Sequence, residues 1–380
     1  MNSPGSIYLD FNATCPVASC VKENIFGWLN EFHGNPSSPH LEGKASKEAL
    51  EVARDSVSQL IFCNPKNLIF TSGASESIQT VFHHFLHHKP ESRKVALSRT
   101  EHMATISAAR FYQSMGTQIL WVEVDPHGQL DLGSLKKVLL QRPDFISVCP
   151  ANNETGALVD LKSLSLFCSE HNIPLHLDAT QWVGKIPWPK NLFNERQPDF
   201  ISISGHKFGS LKGIGALVVN ARGPITPLVE GGGQEFGLRG GTPALIPAIS
   251  MGTVAREIKQ SLDEEYGRML FLKKQLESLL LQQFPGCLIH SQKVDRLPNT
   301  TCIYLPNKDA QSLVNFLSRK KIAISSGSAC STGKLEPSHV LSAMKVTSEK
   351  IASTIRVSLG RTTSISDIET FLSAIKNFPS

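Results

Sequence analysis

The stretch Phe200-Ile201-Ser202-Ile203-Ser204-Gly205-His206-Lys207 is an apolar run that turns and ends at a lysine. The apolar run before it ends at an acid, Asp178. A lysine can form a Schiff base, and a carboxylate can hold a pyridinium nitrogen. These two groups are the least that a protein contributes to pyridoxal phosphate chemistry. The pair therefore predicts a pyridoxal phosphate enzyme.

Short apolar runs alternate with helical patterns on both sides of this stretch. Seven such runs lie at 68–70, 95–97, 119–122, 145–148, 174–177, 200–203 and 215–219. Strands separated by helices need crossover connections, which predict a mostly parallel sheet covered on both faces. Functional side chains in such sheets lie at the carboxyl ends of the strands. The sequence thus predicts an α/β fold around a seven-stranded, mostly parallel sheet.

The pattern changes near residue 250. A long helix is predicted over 248–284, followed by mixed short strands and helices. We interpret this helix as the link between two domains. The large domain is expected at 14–260, and a smaller α+β domain is expected from 1–13 and 261–380.

A final helix is predicted near the end of the chain. Ser366 and Glu369 have the spacing of a capping box, and the apolar positions Ile368, Leu372 and Ile375 follow at helical intervals. These positions should form the buried side of the helix.

Composition indicates an ordinary globular protein. The chain has 380 residues, of which 41% are hydrophobic and 19% charged. The net charge of +5 comes from dispersed residues, so no basic block predicts nucleic-acid binding. No targeting segment and no run of about 18 apolar residues is present, so no membrane association is expected and the protein is predicted to be cytoplasmic.

Several polar groups follow predicted strands, and each has an ordinary structural explanation as well. Thr71–Glu76 opens a helix and could bind an anion or simply cap that helix. His102 could lie against a cofactor ring, although a lone histidine is more often structural. Asn152–Gly156 could be a plain turn. Gln181 follows Asp178 and can reach a ring hydroxyl, and the glycine-rich run 231–242 is a weak second candidate for a phosphate site.

The eight cysteines lack the paired spacing of a zinc site. Cys149 and Cys302 lie in strand-like runs and are expected to be buried. Cys330 differs because it lies in the small, polar run 325–333, which favours an exposed and reactive thiol. The four histidines at 83, 84, 87 and 88 form i, i+4 pairs without an accompanying carboxylate, and we interpret them as a solvated helix face.

Taken together, these residues resemble the class V pyridoxal phosphate enzymes, specifically the cysteine desulfurases, from Tyr8 to Arg361. The motifs that carry the resemblance are 34–38, 71–76, 100–102, 152–156, 178–181, 204–207, 213–217, 231–242, 325–330 with 335–338, and 355–356. The run around Cys330 resembles the longer-loop branch of the family. That branch includes enzymes that supply sulfur for iron–sulfur cluster assembly and tRNA thiolation.

The resemblance implies a transferase of fold type I and assigns a role to each matching position. Lys207 would link to pyridoxal 5'-phosphate and act as acid and base, and Cys330 would take sulfur from L-cysteine as a persulfide, leaving L-alanine. The residues implied for the cofactor are Ala74, Ser75, His102, Asn153, Asp178, Gln181, Ser204, His206, Lys207 and, from a second subunit, Thr242. His102 would also act in catalysis, and Asn35, Asn153 and Arg356 would contact the substrate.

The resemblance also implies partners: a homodimer, and an iron–sulfur scaffold or another sulfur-acceptor protein. No resident metal is implied, although Cys330 could transiently ligate an iron–sulfur cluster. Two departures from the family pattern affect the phosphate region. Gly209-Ser210-Leu211 replaces the usual proline-containing turn, and Phe236 stands where an arginine is common.

Three functions remain open at this stage. The first is a cysteine desulfurase, which the reactive-looking Cys330 favours. The second is another class V enzyme, either a selenocysteine lyase or an aminotransferase. The third is a catalytically silent scaffold protein, which the presence of Lys207, Asp178 and Cys330 makes the weakest of the three.

Overall fold

The computed structural model describes residues 5–189, 197–221, 223, 225–327 and 337–379. In chain order its strands are β1 (Ile7–Tyr8), β2 (Leu68–Thr71), β3 (Lys94–Ser98), β4 (Gln118–Val122), β5 (Phe145–Val148), β6 (Leu175–Asp178), β7 (Phe200–Ser204), β8 (Gly215–Val219), β9 (Leu288–Ile289), β10 (Thr300–Tyr304), β11 (Ile322–Ala323), β12 (Ser325–Ser326) and β13 (Thr354–Ser358). Its α-helices are α1 (Ser19–Glu31), α2 (Leu41–Ile61), α3 (Ala74–Leu86), α4 (Met103–Gln113), α5 (Leu132–Leu139), α6 (Leu161–Glu170), α7 (Leu245–Gln283), α8 (Ala310–Arg319), α9 (His339–Ala343), α10 (Ser348–Ala352) and α11 (Ile365–Lys376).

The central sheet has seven strands in the order β2-β8-β7-β6-β5-β3-β4. Strand β8 runs antiparallel to both of its neighbours, and the other pairs are parallel. Each of the seven predicted apolar runs forms one of these strands. The predicted α/β fold with a mostly parallel seven-stranded sheet is therefore confirmed.

Helices cover both faces of this sheet, which explains why its strands are apolar on both sides. Alternate residues of one strand enter different cores: Leu68 and Phe70 pack with α2, α5, α6 and the first part of α7, whereas Ile69 packs with α3 and α4. Helix α7 confirms the predicted long helix and begins at Leu245. It approaches α2 so closely at Gly252 that a Cβ there would lie 2.4 Å from the Cα of Ala53.

The C-terminal part of the chain forms a second core around the antiparallel sheet β12-β13-β10-β9. This core includes the second half of α7, together with α8 and α11. The N-terminal segment joins it, because β1 pairs with β11 and Leu9 packs among its residues. The expected division into 14–260 and 1–13 with 261–380 remains a prediction.

The predicted cap of the last helix is wrong by two residues. The capping box of α11 is formed by Ser364 and Asp367, whose side chains bond each other's backbone N–H groups, rather than by Ser366 and Glu369. The buried side of the helix is nevertheless the predicted one, since Ile368, Leu372 and Ile375 are buried. Both pairs have the i, i+3 spacing of a capping box, and the helix begins two residues before the predicted start.

No helix within the described ranges combines the length and the apolarity that a bilayer crossing requires.

Candidate functional site

A cavity of about 420 Å³ lies at the carboxyl ends of the central strands, where the parallel sheet predicts a site. Nine of the sequence-predicted residues line it: Ala74, Ser75, His102, Asn153, Asp178, Gln181, Ser204, His206 and Lys207. They come from segments that follow β2, β3, β5, β6 and β7. Sheet topology thus brings together residues up to 133 positions apart in the chain.

Lys207 ends a short 3-10 turn, Gly205–Lys207, immediately after β7. Its Nζ donates hydrogen bonds to the carbonyl oxygens of Asn12 and Ala13, each at 2.8 Å. Burial, together with the nearby positive charge of Arg356, lowers the pKa of Lys207 from 10.5 to about 8. A substantial fraction of this amine is therefore neutral near physiological pH, as a nucleophilic lysine requires.

Asp178 and His102 both line the cavity, at the ends of β6 and β3, which are separated in the sheet by β5. Asp178 is the last residue of β6, is 3% exposed, and accepts a hydrogen bond from the backbone N–H of Thr180 at 3.1 Å. His102 caps α4 by accepting a hydrogen bond from the N–H of Ala104 at 3.1 Å. Burial lowers the pKa of His102, and the charge of Asp178 opposes that effect. The imidazole is thus held neutral, with Nδ1 as an acceptor.

Part of the cavity lining offers hydrogen-bond donors to an anion. Helix α3 begins at Ala74 without a side-chain cap, so its first N–H groups are available where Ala74 and Ser75 line the cavity. Ser204 and His206 lie on the same wall, and His206 Nδ1 shares a hydrogen bond with Thr14 Oγ1 at 3.0 Å. Burial and the charge of Lys207 lower the pKa of His206 to about 4.

These features fit pyridoxal phosphate. An amine, a carboxylate and an uncapped helix N-terminus surround one cavity, and they correspond to the aldehyde, the ring nitrogen and the phosphate of that cofactor. In addition, Thr180 Oγ1 lies buried beside the cavity without a hydrogen-bond partner among the described residues. Buried hydroxyls normally have partners, so this oxygen is consistent with a polar ligand.

Arg356 lies on β13, behind the cavity rather than in its lining. The guanidinium is 8% exposed and donates to Asp10 Oδ1 at 2.8 Å, to Ser325 Oγ at 3.0 Å and to the Asn153 carbonyl at 3.0 Å. Its Nε is buried without a hydrogen-bond partner in the described part of the chain. The contact with Asn153 ties Arg356 to the cavity wall.

Two other predicted site residues do not line the cavity. Asn35 is exposed, and its side chain accepts a hydrogen bond from the N–H of Ser37 at 2.9 Å. Thr242 is exposed at the end of the glycine-rich run. Cys330 lies in 328–336, outside the described residues. Within a single chain, Asn35 and Thr242 therefore do not contribute to the cavity.

Sequence reasoning missed two residues that contact the predicted ones. The carbonyl of Asn12 accepts hydrogen bonds from Lys207 Nζ at 2.8 Å and from Gln181 Nε2 at 3.0 Å. Lys185 donates to the side chains of both Asn12 and Gln181. The only signal that could have found Lys185 is its position one helical turn after Gln181.

Two interpretations of single residue types can also be compared with the structure. Cys149 and Cys302 are buried, as expected from their strand-like runs. The four-histidine segment is only partly solvated, because His84 Nδ1 accepts from the N–H of Thr226 and His83 bonds the Tyr112 hydroxyl. In the part of the chain that the structure describes, no group of three or more His, Cys, Asp or Glu residues is arranged to hold a metal.

Comparisons with known proteins agree with this geometry. Residues 7–371 match the family model described as aminotransferase class-V. A cysteine desulfurase of a Nostoc species is 34% identical over 96% of this chain and 90% of its own length. The cysteine desulfurase IscS of Dictyoglomus turgidum is 33% identical over 97% of this chain and 93% of its own length.

Solved structures of NifS-like and related proteins also resemble this chain over most of its length. A structure described as a NifS-like protein superposes with a TM-score of 0.89 at 30% identity, covering 98% of both chains. A NifS-like protein from Rickettsia africae gives 0.87 at 31% identity, again over 98% of both chains. A structure described as SspA in complex with cysteine gives 0.81 at 28% identity, over 93% of this chain and 99% of that one.

Proposed function

The chain belongs to the class V aminotransferase family and, within it, to the cysteine desulfurases. We propose that its cavity binds pyridoxal phosphate. With this cofactor the enzyme converts L-cysteine to L-alanine and transfers the sulfur to an acceptor thiol. The observation that carries this proposal is the cavity itself, which combines a lysine of lowered pKa, a buried carboxylate and an uncapped helix start. When bound, pyridoxal phosphate supplies a ring that accepts the electrons left by bond breaking at the substrate α-carbon.

The residues of this chain would position the cofactor and move protons around it. Lys207 would hold pyridoxal phosphate through its amine and would move a proton to or from the substrate α-carbon. Asp178 holds the ring nitrogen in its protonated state, because a carboxylate favours a cation beside it. The start of α3, together with Ser204 and His206, binds the phosphate.

The substrate end depends on two further residues. Asn153 lies in the cavity wall, and its backbone carbonyl is bonded to Arg356. Arg356 binds the substrate carboxylate with two N–H groups, which fixes the orientation of the α-carbon. A neutral His102 accepts or returns a proton at the substrate thiol.

The acceptor side of the reaction is proposed from the family pattern alone. Cys330 would take the sulfur as a persulfide: its thiolate would attack the substrate sulfur, the carbon–sulfur bond would break with its electron pair left on the substrate β-carbon, and a proton added there would complete the methyl group of L-alanine. A second copy of this chain contributes Thr242 to the phosphate site, consistent with its exposure in the single chain. An iron–sulfur scaffold or another acceptor protein then receives the sulfur.

Incubation of the purified protein with pyridoxal phosphate, L-cysteine and a reductant tests the proposal. Alanine and sulfide should form in equal amounts, and Lys207→Ala should abolish both, along with the visible absorbance of the bound cofactor. Cys330→Ser should keep that absorbance but stop multiple turnover. A bound cofactor with neither product would overturn the desulfurase assignment and favour selenocysteine or amino-group transfer.

A further inference from the structure

A second lysine, Lys185, lies next to the cavity and has no role in the reaction described above. It follows Gln181 by four residues, and the two side chains are in contact. Lys185 Nζ donates one hydrogen bond to Asn12 Oδ1 at 2.8 Å and another to Gln181 Oε1. Burial lowers the pKa of Lys185 from 10.5 to about 7. The amine has at least two N–H groups in either protonation state, so both bonds persist across this pKa.

The contacts of Gln181 leave its amide one orientation. Its Nε2 donates to the carbonyl oxygen of Asn12 at 3.0 Å, and a carbonyl oxygen can only accept. Its Oε1 faces Lys185 Nζ, which donates. Exchanging the amide oxygen and nitrogen would place two acceptors together on one side and two donors on the other. Gln181 is only 3% exposed, so water cannot compensate for either mismatch.

Asn12 is itself fixed in place, so the arrangement cannot relax by moving it. Its Nδ2 donates to Thr300 Oγ1 at 2.8 Å and to the Asn153 carbonyl at 3.1 Å. Its backbone N–H donates to Ser358 Oγ at 3.0 Å. The residue is 1% exposed, and its side-chain oxygen is left as an acceptor for Lys185.

One N–H of Gln181 Nε2 remains for the cavity that Gln181 lines. We propose that Lys185 is a positioning residue that holds Oε1 of Gln181 away from the cavity, so that Nε2 donates to the ring oxygen of pyridoxal phosphate. The inference rests on the proposed cofactor. It means that Gln181 donates to the cofactor because of Lys185, which does not itself contact the cofactor.

The visible absorbance of the cofactor-loaded protein, titrated with pH, tests this role. A donor at the ring oxygen stabilises its negative charge most when the neighbouring nitrogen has lost its proton. Lys185→Met removes the contact that orients the donor, and it should therefore raise the pH midpoint of the absorbance change by about one unit. Binding of pyridoxal phosphate should weaken about tenfold.

A double-mutant cycle separates positioning from mere packing. If Lys185 acts through Gln181, then Gln181→Ala and the double variant Lys185→Met with Gln181→Ala should show the same midpoint. Additive shifts would overturn the proposal. Lys185→Arg keeps a group that can only donate, so its midpoint should be near that of the unsubstituted protein. If Lys185 matters only through the size and shape of its side chain, the larger arginine should disturb the site and shift the midpoint.

Lys273 offers a matched control because it is another buried lysine, 5% exposed, with a pKa lowered by burial to about 8. Its Nζ donates to the Leu297 carbonyl, away from the cavity. Lys273→Met should leave the midpoint unchanged. If Lys185→Met binds pyridoxal phosphate and also leaves the midpoint unchanged, the inference about Lys185 is overturned and the proposed function is not. If the unsubstituted protein binds no pyridoxal phosphate, the proposed function is overturned. Thermal unfolding of Lys185→Met should show one cooperative transition, which establishes folding, with a midpoint lowered because Asn12 Oδ1 and Gln181 Oε1 lose their donor.

Discussion

Arg54 and Arg356 are both buried and both form an ion pair with an acid, but they differ in how completely their N–H groups are hydrogen-bonded. Arg54, 2% exposed, places two N–H groups on the two carboxylate oxygens of Glu235, at 2.7 and 2.9 Å, and donates to the Leu68 carbonyl at 2.7 Å. Its Nε donates to Glu51 at 3.2 Å. Phe70 and Phe236 lie over it, with each ring centroid 5.0 Å away.

Arg356 divides its donors among three separate acceptors, and only one of them is a carboxylate oxygen. Its Nε has no partner among the described residues. Its neighbours are a cavity wall on one side and Asp10 on the other. The guanidinium can therefore exchange single bonds for a paired contact with an incoming carboxylate.

A buried arginine can thus serve either structure or function, depending on how completely its N–H groups are bonded. Arg54 has every strong bond that its fork geometry allows, so a ligand would gain nothing by approaching it. Arg356 is held in position but is incompletely satisfied, which costs stability and leaves binding capacity at the site. The first should govern the free energy of unfolding, and the second should govern recognition of the substrate.

The largest effect is expected from Arg356→Gln, measured as kcat/KM for L-cysteine. Loss of a paired, charge-assisted contact should lower kcat/KM by about 10³-fold. The visible absorbance of the bound cofactor should be retained, because Arg356 does not line the cofactor cavity. Arg296→Gln, which removes another buried arginine from its ion pair with Glu277, is the matched control and should change kcat/KM only slightly. Equal losses of kcat/KM in both variants would show that Arg356 has no special role in substrate recognition.

The next effect concerns stability, through Arg54→Met. The substitution leaves the Glu235 carboxylate buried at 3% side-chain exposure without its cation. The free energy of unfolding should fall by about 3 kcal/mol in chemical denaturation, while the KM for L-cysteine stays unchanged. Arg93→Met removes a half-exposed partner of Asp144 and should cost less than about 1 kcal/mol. A strong rise in KM with Arg54→Met would contradict its purely structural role.

A smaller effect tests whether Arg356 acts electrostatically on Lys207. Burial is the main reason that the pKa of Lys207 falls to about 8, and the charge of Arg356 adds to it. Arg356→Gln should raise this pKa by about half a unit, so the reactive neutral amine of the cofactor-free protein appears at higher pH. Arg54→Met should leave it unchanged.

The rate of Lys207 acetylation against pH, followed by mass spectrometry, measures this shift. Lys22, which is solvent-exposed, serves as the internal reference for the reactivity of the reagent. An unchanged Lys207 profile in Arg356→Gln would show that burial alone sets the pKa.

The sequence predicts the central sheet and most of the cavity because both follow from local pattern. Apolar runs form the strands, and the polar residues at their ends meet at one edge whatever the details of packing. Asp178 and Lys207 are found in this way. Asn12 and Lys185 are not, because their roles depend on hydrogen bonds across the fold, such as the bond from Gln181 to Asn12 over 169 positions.

The smallest effect concerns Phe236, where the family commonly has an arginine. Its ring covers one face of Arg54, and its backbone, like that of Glu235, has a left-handed conformation, with φ angles of 60° and 48°. Phe236→Ala loses the ring contact and should lower the free energy of unfolding by about 0.5–1 kcal/mol. Phe236→Gly loses the same contact but removes the steric cost of a Cβ at this φ angle. The glycine variant should therefore be more stable than the alanine variant by a few tenths of a kcal/mol in parallel denaturation curves. The reverse order of stability would mean that the Arg54–Glu235 pair does not hold the backbone of residue 236 in the left-handed region.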